Sequence, residues 1–216
     1  MKASTNIRDY YYDNGEMVRK KRIIFLDFDG VLNGTSSISG FLWILALKTH
    51  TNKIYRAIEN IFHIDNFKIK KRYIFRLAIL CKLTGAKVVL SSSWKGPVYK
   101  HYSENTKSNH DNIDRLVSLL KKYKIDVIGT TPHSYKKRVD EIITWLSRHE
   151  KMIDEFVILD DEYTSMDCLY DHLVITSDAR PNNNIKNGYW YCNSGLKWKY
   201  IKQAYNILIH KEQIKK

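Results

Sequence analysis

The chain of 216 residues is long enough for one medium-sized domain, or for a domain with a small insert. Hydrophobic residues make up 44% of it and charged residues 27%, which is typical of a packed globular protein and argues against a disordered one. Lys and Arg number 36 against 23 Asp and Glu, a formal net charge of +13 with His neutral. That excess attracts phosphate-rich partners, although a chain rich in Lys, Asn, Ile and Tyr can also reflect the base composition of its gene.

The cysteines and the longest apolar runs exclude several other classes. Three cysteines lie far apart with no CxxC pair, which argues against a disulfide framework and a cysteine zinc site. The longest apolar run, residues 41–47, is far shorter than the ~20 residues of a membrane-spanning helix. Residues 1–16 lack the apolar core of a secretory signal. We therefore expect a soluble, cytoplasmic protein with no membrane partner.

The chain opens with a polar, basic segment and continues as alternating apolar runs and amphipathic segments. For residues 1–22, a loosely ordered basic lead-in is favoured over a nucleic-acid-binding arm. Short apolar runs predict buried strands of a parallel sheet at 23–26, 88–90, 127–128, 156–159 and 173–175. Apolar residues spaced i, i+3, i+4, i+7 predict helices over 74–81, 113–120, 139–146 and 201–208.

This alternation predicts an α/β fold with a Rossmann-like, doubly wound parallel sheet in one domain, residues 23–216. Residues 33–67 interrupt it with a polar stretch and an apolar, aromatic segment. We interpret 33–67 as a small insert after the first strand, either a cap over the strand ends or a helix on the sheet edge. Ligands of such sheets bind at the carboxyl ends of the strands, so the polar residues there are the candidates for function.

Acidic residues follow the first and fourth predicted strands. Asp27 and Asp29 lead into a turn at Gly30, which lets the backbone turn sharply and lets a ligand such as phosphate approach closely. Asp160 and Asp161 end the fourth strand. Close, desolvated carboxylates repel each other, and a cation resolves the repulsion. The sequence therefore predicts a site of oxygen ligands, the kind that Mg²⁺ prefers.

Hydroxyls and cations follow the second and third strands. Ser91, Ser92 and Ser93 offer hydroxyls and backbone N–H groups to a phosphate oxygen. Lys137 and Arg138 precede a helix, where cations are unfavourable beside the N-terminal dipole unless they serve a ligand. Acids for a metal, with hydroxyls and a cation for phosphate, together indicate a phosphoryl-transfer site.

Four segments in this order resemble the four motifs of the haloacid dehalogenase (HAD) superfamily: KRIIFLDFDGVLN, VVLSSSWK, KKRVDEIITWL and FVILDDE. The last three resemble, more narrowly, the HAD-like domain of RNA-repair ("Swiss army knife") proteins. The resemblance spans residues 20–210. It implies a HAD-like catalytic domain and a Mg²⁺-dependent phosphatase that works through an aspartyl-phosphate.

The resemblance also implies roles for the acids. Asp27 would be the nucleophile, and Asp29 would protonate the leaving oxygen and then activate water. An acid at this second position is typical of the family's phosphatases, and its dehalogenases lack it. Mg²⁺ would be bound by Asp27, the backbone carbonyl of Asp29 and an acid of the Asp160–Asp161 pair.

The phosphate would be bound by Ser92, with Ser91 as the second choice and the backbone N–H of Ser93 contributing. Lys137 and Arg138 both fit the cation of the third motif, which is usually Lys in the superfamily and often Arg in the narrower family.

Two features depart from the family pattern. The fourth motif lacks a third acid a few residues on: Asp167 lies slightly too far, so Glu162 or water would complete the metal site. No kinase or ligase domain is recognisable, so a repair role would require partner proteins. His133 is a weak candidate for substrate contact, and for the aromatic and lysine residues of 189–200 core packing is favoured over single-strand binding.

Three functions remain open. The favoured one is a phosphatase acting on phosphorylated nucleic-acid ends or nucleotides. The alternatives are a phosphomonoesterase for a small metabolite and a non-catalytic nucleic-acid-binding module on a HAD scaffold, against which the intact acids speak. The sequence does not distinguish 3′- from 5′-phosphates or RNA from DNA.

Overall fold

A computed structural model describes residues 10–33, 69–92, 115–132, 137–161, 166–177 and 195–214. The elements in chain order are β1 (Tyr10–Asp13), β2 (Glu16–Arg19), β3 (Lys21–Leu26), α1 (Lys71–Thr84), β4 (Lys87–Leu90), α2 (115–122), β5 (Val127–Thr130), α3 (Arg138–His149), β6 (Ile153–Asp160), β7 (Leu173–Ile175) and α4 (Trp198–Ile214). Short 3₁₀ helices at Glu150–Met152 and Asp167–His172 precede β6 and β7. The predicted insert, 33–67, lies almost wholly outside the described residues.

Five strands form one parallel sheet in the order β5-β4-β3-β6-β7. The Rossmann-like α/β fold predicted from the sequence is therefore confirmed. Strand β3 lies at the centre, since the chain adds β4 and β5 on one side of it and β6 and β7 on the other. Such a reversal of strand order opens a crevice at the carboxyl ends of the central strands.

Helices cover both faces of the sheet, which explains why its strands read as continuous apolar runs. Ile24 and Leu26 of β3 pack in a core with residues of α1, α2 and α4. Ile23 and Phe25 point to the opposite face and pack against α3, where the Phe25 ring meets the Trp145 ring edge-on. These four side chains are buried, so the strand that leads to Asp27 is fixed from both sides.

The N-terminal segment differs from the expected loose lead-in. Residues 10–19 form an antiparallel hairpin of β1 and β2, and β3 begins at Lys21. The hairpin turns at Asn14 and Gly15, whose φ angles of 48° and 86° suit the two-residue turn that twists with its strands. An Asn-Gly pair between short polar strands is a turn signal that the basic composition obscured. Among the described residues, no helix is long and apolar enough to cross a membrane.

Candidate active site

The strand ends of the sheet are aligned, so the residues that follow them share one edge. Leu26 of β3 pairs with the last residue of β4 and with Leu159 of β6. The ladder continues one residue further, because the backbone N–H of Asp27 donates to the Leu159 carbonyl at 3.0 Å and that of Ser91 donates to the Leu26 carbonyl at 2.9 Å. Asp27, Ser91 and the end of β6 therefore lie side by side.

Three carboxylates meet at this edge. Asp27, Asp160 and Asp161 each offer an oxygen, and the three oxygens lie within 4.8 Å of one another. Asp27 is 3% exposed and Asp160 is 1% exposed. The Oδ1 atom of Asp27 is buried and has no hydrogen-bond partner within the described part of the chain. A buried carboxylate oxygen without a partner is costly and indicates a ligand at that point.

Within the described ranges, Arg138 is the cation that reaches these acids. Its Nη1 lies 3.0 Å from Asp27 Oδ2 and 2.5 Å from Asp160 Oδ2. Burial by itself would lower the pKa of the Arg138 guanidinium, but attraction to Asp27 and Asp160 raises the pKa above its usual value. Lys137, the other predicted cation, occupies the extended residue before α3 and is exposed. The structure thus brings Arg138 to the acids and leaves Lys137 at the surface.

Among the residues that the structure describes, the three acids of this cluster carry more negative charge than the one guanidinium beside them can balance. Burial and the neighbouring charges of Asp27 and Asp160 raise the pKa of Asp161 to about 8. Without a cation, Asp161 would therefore hold a proton at neutral pH. Three carboxylates, an unpartnered oxygen and one guanidinium form an oxygen-rich donor set that suits a divalent cation such as Mg²⁺. The side chain of Asp29 lies outside this group. Asp29 is expected to bind the metal through its backbone carbonyl, which stays a prediction.

The raised pKa of Asp161 predicts how stability depends on pH without a metal. The unfolded chain loses this proton near pH 4, as a free Asp does, whereas the folded protein keeps it up to about pH 8. Between these values the folded state binds more protons, so its free energy of unfolding falls as the pH rises. We expect the Tm in EDTA to fall more steeply from pH 5 to about pH 8 in the wild type than in Asp161→Asn.

Mg²⁺ provides the complementary measurement. Because a metal binds the deprotonated carboxylate, added Mg²⁺ should raise the Tm of the wild type more at about pH 8 than at about pH 6. Parallel Tm curves for the wild type and Asp161→Asn in EDTA would contradict a shifted Asp161.

Gly30 allows Asp161 to reach the site. Its φ is +67°, and a Cβ atom built there would lie 2.3 Å from the Cγ of Asp161. No residue with a side chain fits this position unless Asp161 moves. Gly30 thus leaves room for the Asp161 side chain. The close approach of phosphate to Gly30, expected from the sequence, would be a second role.

Replacement of Gly30 by Ala should displace Asp161 and weaken Mg²⁺ binding by at least about tenfold, the usual loss when a group that orients a ligand is changed. The matched control is Gly85→Ala, because Gly85 has φ +69° but nothing within 4 Å of a built Cβ. Both variants should lose about 1 kcal/mol of stability from backbone strain, and only Gly30→Ala should lose metal affinity. Isothermal titration with Mg²⁺ separates the two, and equal affinities would contradict this role.

Two partners of the first motif were missed by sequence reasoning. Asn33 donates from Nδ2 to Asp29 Oδ1 at 2.8 Å, and its own Oδ1 accepts from the Gly30 N–H at 2.8 Å. Thr176, fully buried after β7, places its hydroxyl 3.3 Å from the carbonyls of Gly30 and of Asp160. The spacing of four residues between Asp29 and Asn33 could have suggested the first contact. Nothing in the sequence indicated the second.

The predicted phosphate-binding serines lie beside the acids. Ser91 and Ser92 are both buried, and the Ser91 hydroxyl has no hydrogen-bond partner among the described residues. Asp167 is exposed on its 3₁₀ helix, as its distance from the motif suggested. The predicted residues that lie outside the described part of the chain are Ser93, His133 and Glu162.

A comparison with known protein families identifies the family of the chain. Residues 23–180 match the family described as the HAD domain in Swiss Army Knife RNA repair proteins. The chain belongs to this family. Neither the search of the curated proteins nor the search of the solved structures found a match.

Membership of the HAD family confirms the resemblance seen in the four motifs and makes the chain a HAD-superfamily hydrolase. HAD domains generally use Mg²⁺, and the described residues include an acid cluster that could hold a metal ion. The matched range begins within β3, extends past β7 and contains the whole acid cluster. It ends before α4, and the hairpin of β1 and β2 precedes it.

Proposed function

We propose that this HAD domain is a Mg²⁺-dependent phosphatase that removes terminal phosphates from nucleic-acid ends or nucleotides. The observation that carries the proposal is the convergence of Asp27, Asp160, Asp161 and Arg138 at one edge of the sheet. Within this cluster, Asp27 keeps one carboxylate oxygen without a protein partner among the described residues. That arrangement suits a nucleophile whose substrate is an anion.

In the first step, a carboxylate oxygen of Asp27 forms a bond to phosphorus while the bond from phosphorus to the leaving oxygen breaks. Arg138 fixes the Asp27 carboxylate through Oδ2 and offers positive charge to the phosphoryl group. Asp29 donates its proton to the leaving oxygen. The contact with Asn33 holds Asp29 in position for that transfer.

In the second step, Asp29 accepts a proton from water as the water oxygen forms its bond to phosphorus. The bond between phosphorus and the Asp27 oxygen breaks, inorganic phosphate leaves, and both carboxyl groups return to their starting states. The hydroxyl of Ser92 or Ser91 binds the phosphate oxygens, together with the backbone N–H that the sequence predicts for Ser93. Lys137 has no part in this scheme, because its side chain is exposed.

The residues present fit the metal that the family uses. The side chains of Asp27, Asp160 and Asp161, with the backbone carbonyl of Asp29, would hold Mg²⁺. Bound there, the ion supplies the positive charge that lets a carboxylate and a phosphate approach each other.

Two observations support a nucleic-acid substrate. The matched family is described from RNA repair proteins, and the chain carries a net charge of +13. Polyanions gain most from such a surface, and their binding weakens steeply with salt.

Mg²⁺-dependent phosphate release from a panel of esters tests the proposal. The panel contains 3′- and 5′-phosphorylated RNA and DNA oligonucleotides, mononucleotides, sugar phosphates and an aryl phosphate. We expect oligonucleotide or nucleotide turnover that EDTA abolishes, with oligonucleotide turnover falling as salt rises. Turnover confined to sugar phosphates would assign the chain to small metabolites instead. RNA binding without turnover of any ester would indicate a binding module.

A further inference from the structure

The helices α1 and α4 carry a strong and local charge bias. Residues 69–84 and 195–209 together contain eight Lys and Arg and no Asp or Glu, and the one acid of α4, Glu212, lies in its last turn. The basic composition of the chain does not explain this, because α3 mixes Asp140 and Glu141 with its cations. The first turns of α1 and α4 contain no acid, although acids are the residues that a helix dipole favours there. A bound anion would supply the negative charge that a helix N-terminus favours and that the side chains of these first turns do not provide.

The starts of these two helices lie beside the candidate active site. The backbone N–H of Lys70, just before α1, donates to the Leu32 carbonyl at 3.0 Å, and that of Leu196, just before α4, donates to the Val31 carbonyl at 2.9 Å. Val31 directly follows Gly30 in the first-motif loop. Both helix N-termini are therefore joined to the loop that carries Asp29.

Side chains from the two helices meet at this point. The Arg76 guanidinium donates to the Leu196 carbonyl at 2.9 Å and lies 5.4 Å from the centre of the Trp198 ring. Arg72, one turn earlier on α1, is exposed. Trp198 is 49% exposed, whereas Tyr200, two residues on, is 3% exposed in the core. Core packing therefore accounts for Tyr200 and does not account for Trp198.

We propose that Arg72, Arg76 and Trp198, the basic-aromatic patch, bind the single-stranded nucleic acid adjoining the phosphate that is removed. Cations beside an exposed aromatic ring form the usual surface for a single strand, since the cations hold phosphodiesters and the ring stacks on a base. The inference rests on the proposed function in one respect: the terminal phosphate of the bound strand is taken to lie at the acid cluster. It adds α4, which lies outside the range matched by the family.

The test measures binding of a fluorescein-labelled single-stranded RNA without a terminal phosphate, by fluorescence anisotropy at several salt concentrations. Loss of the stacked base in Trp198→Ala should raise Kd by about 5- to 100-fold, and Trp198→Phe should restore most of the affinity. Arg72→Gln should raise Kd and reduce the slope of log Kd against log salt by about 0.7, the value for one phosphate contact. Both substituted side chains are exposed, and thermal melting checks that the variants fold.

Lys82→Gln is the matched control, because it removes an exposed cation from the last turn of the same helix. Lys82 lies ten residues after Arg72, about 15 Å along the helix axis, and its loss should change Kd by less than about twofold. Equal effects of Lys82→Gln and Arg72→Gln, or an unchanged Kd in Trp198→Ala, would overturn the patch and indicate diffuse attraction.

The outcomes for the patch and for the proposed function are distinguishable. If the wild type releases phosphate but Trp198→Ala does not change RNA binding, the patch is wrong and the proposed function stands. Absence of phosphate release, with RNA binding lost in Trp198→Ala, supports the patch and removes the phosphatase proposal.

Discussion

Replacing Asp27 by Asn is expected to lower kcat for phosphate release by about 10³-fold or more, the scale of loss when a covalent nucleophile is removed. The amide keeps the size of the side chain but is a poor nucleophile. It also removes one of the charges that attract a divalent cation. The comparison is made on the phosphate ester that the wild type hydrolyses fastest.

Asp167→Asn is the control for Asp27→Asn. It removes the same charge from an exposed residue of the 3₁₀ helix before β7. Its kcat should stay within about twofold of the wild type, as is usual for a surface substitution. A similar loss in both variants, or full activity in Asp27→Asn, would remove Asp27 from the mechanism.

Replacing Arg138 by Ala should lower the free energy of unfolding by about 3–5 kcal/mol in EDTA, because the buried Asp27 and Asp160 carboxylates lose their cation. Added Mg²⁺ should recover part of this loss, since it supplies positive charge to the same oxygens. Urea unfolding with EDTA and with Mg²⁺ measures both effects.

Lys137→Ala is the matched variant for Arg138. The two cations are adjacent in the sequence, but Lys137 is exposed, so its loss should change stability by less than about 0.5 kcal/mol. Equal destabilisation by the two substitutions would contradict the position of Arg138 in the acid cluster. A loss of stability in Arg138→Ala that Mg²⁺ does not reduce would contradict a shared metal site.

The centre of the sheet could be predicted because its middle strand is buried on both faces. Ile23 and Phe25 of β3 pack on one side and Ile24 and Leu26 on the other, so this strand is a short continuous apolar run. The carboxyl ends of such strands meet, which is why the polar residues after them marked the site. The hairpin of residues 10–19 was missed, since its strands are short, polar and partly exposed.

The details of the site depend on contacts that sequence spacing does not encode. Lys137 and Arg138 fit the third motif equally well, and only the position of α3 against the sheet determines which of them reaches Asp27. The Thr176 hydroxyl meets the Gly30 carbonyl across 146 residues of chain. The space above Gly30 is filled by Asp161 from another strand end. Such contacts follow from the register of the sheet, which residue types alone do not specify.

A burst measurement with Asp29→Asn tests whether Asp27 carries the phosphoryl group between the two steps. A nitrophenyl phosphate has an acidic phenol that leaves as its anion without a proton donor, so Asp29→Asn should still complete the first step. The second step needs Asp29 to activate water and should be slow. In the presence of Mg²⁺, we expect a burst that releases one phenol per protein molecule, followed by slow turnover. Mass spectrometry of the acid-quenched protein should find one phosphoryl group on the peptide that contains Asp27. If the wild type hydrolyses the ester but Asp29→Asn shows neither a burst nor a phosphorylated Asp27, the result contradicts an aspartyl-phosphate on Asp27.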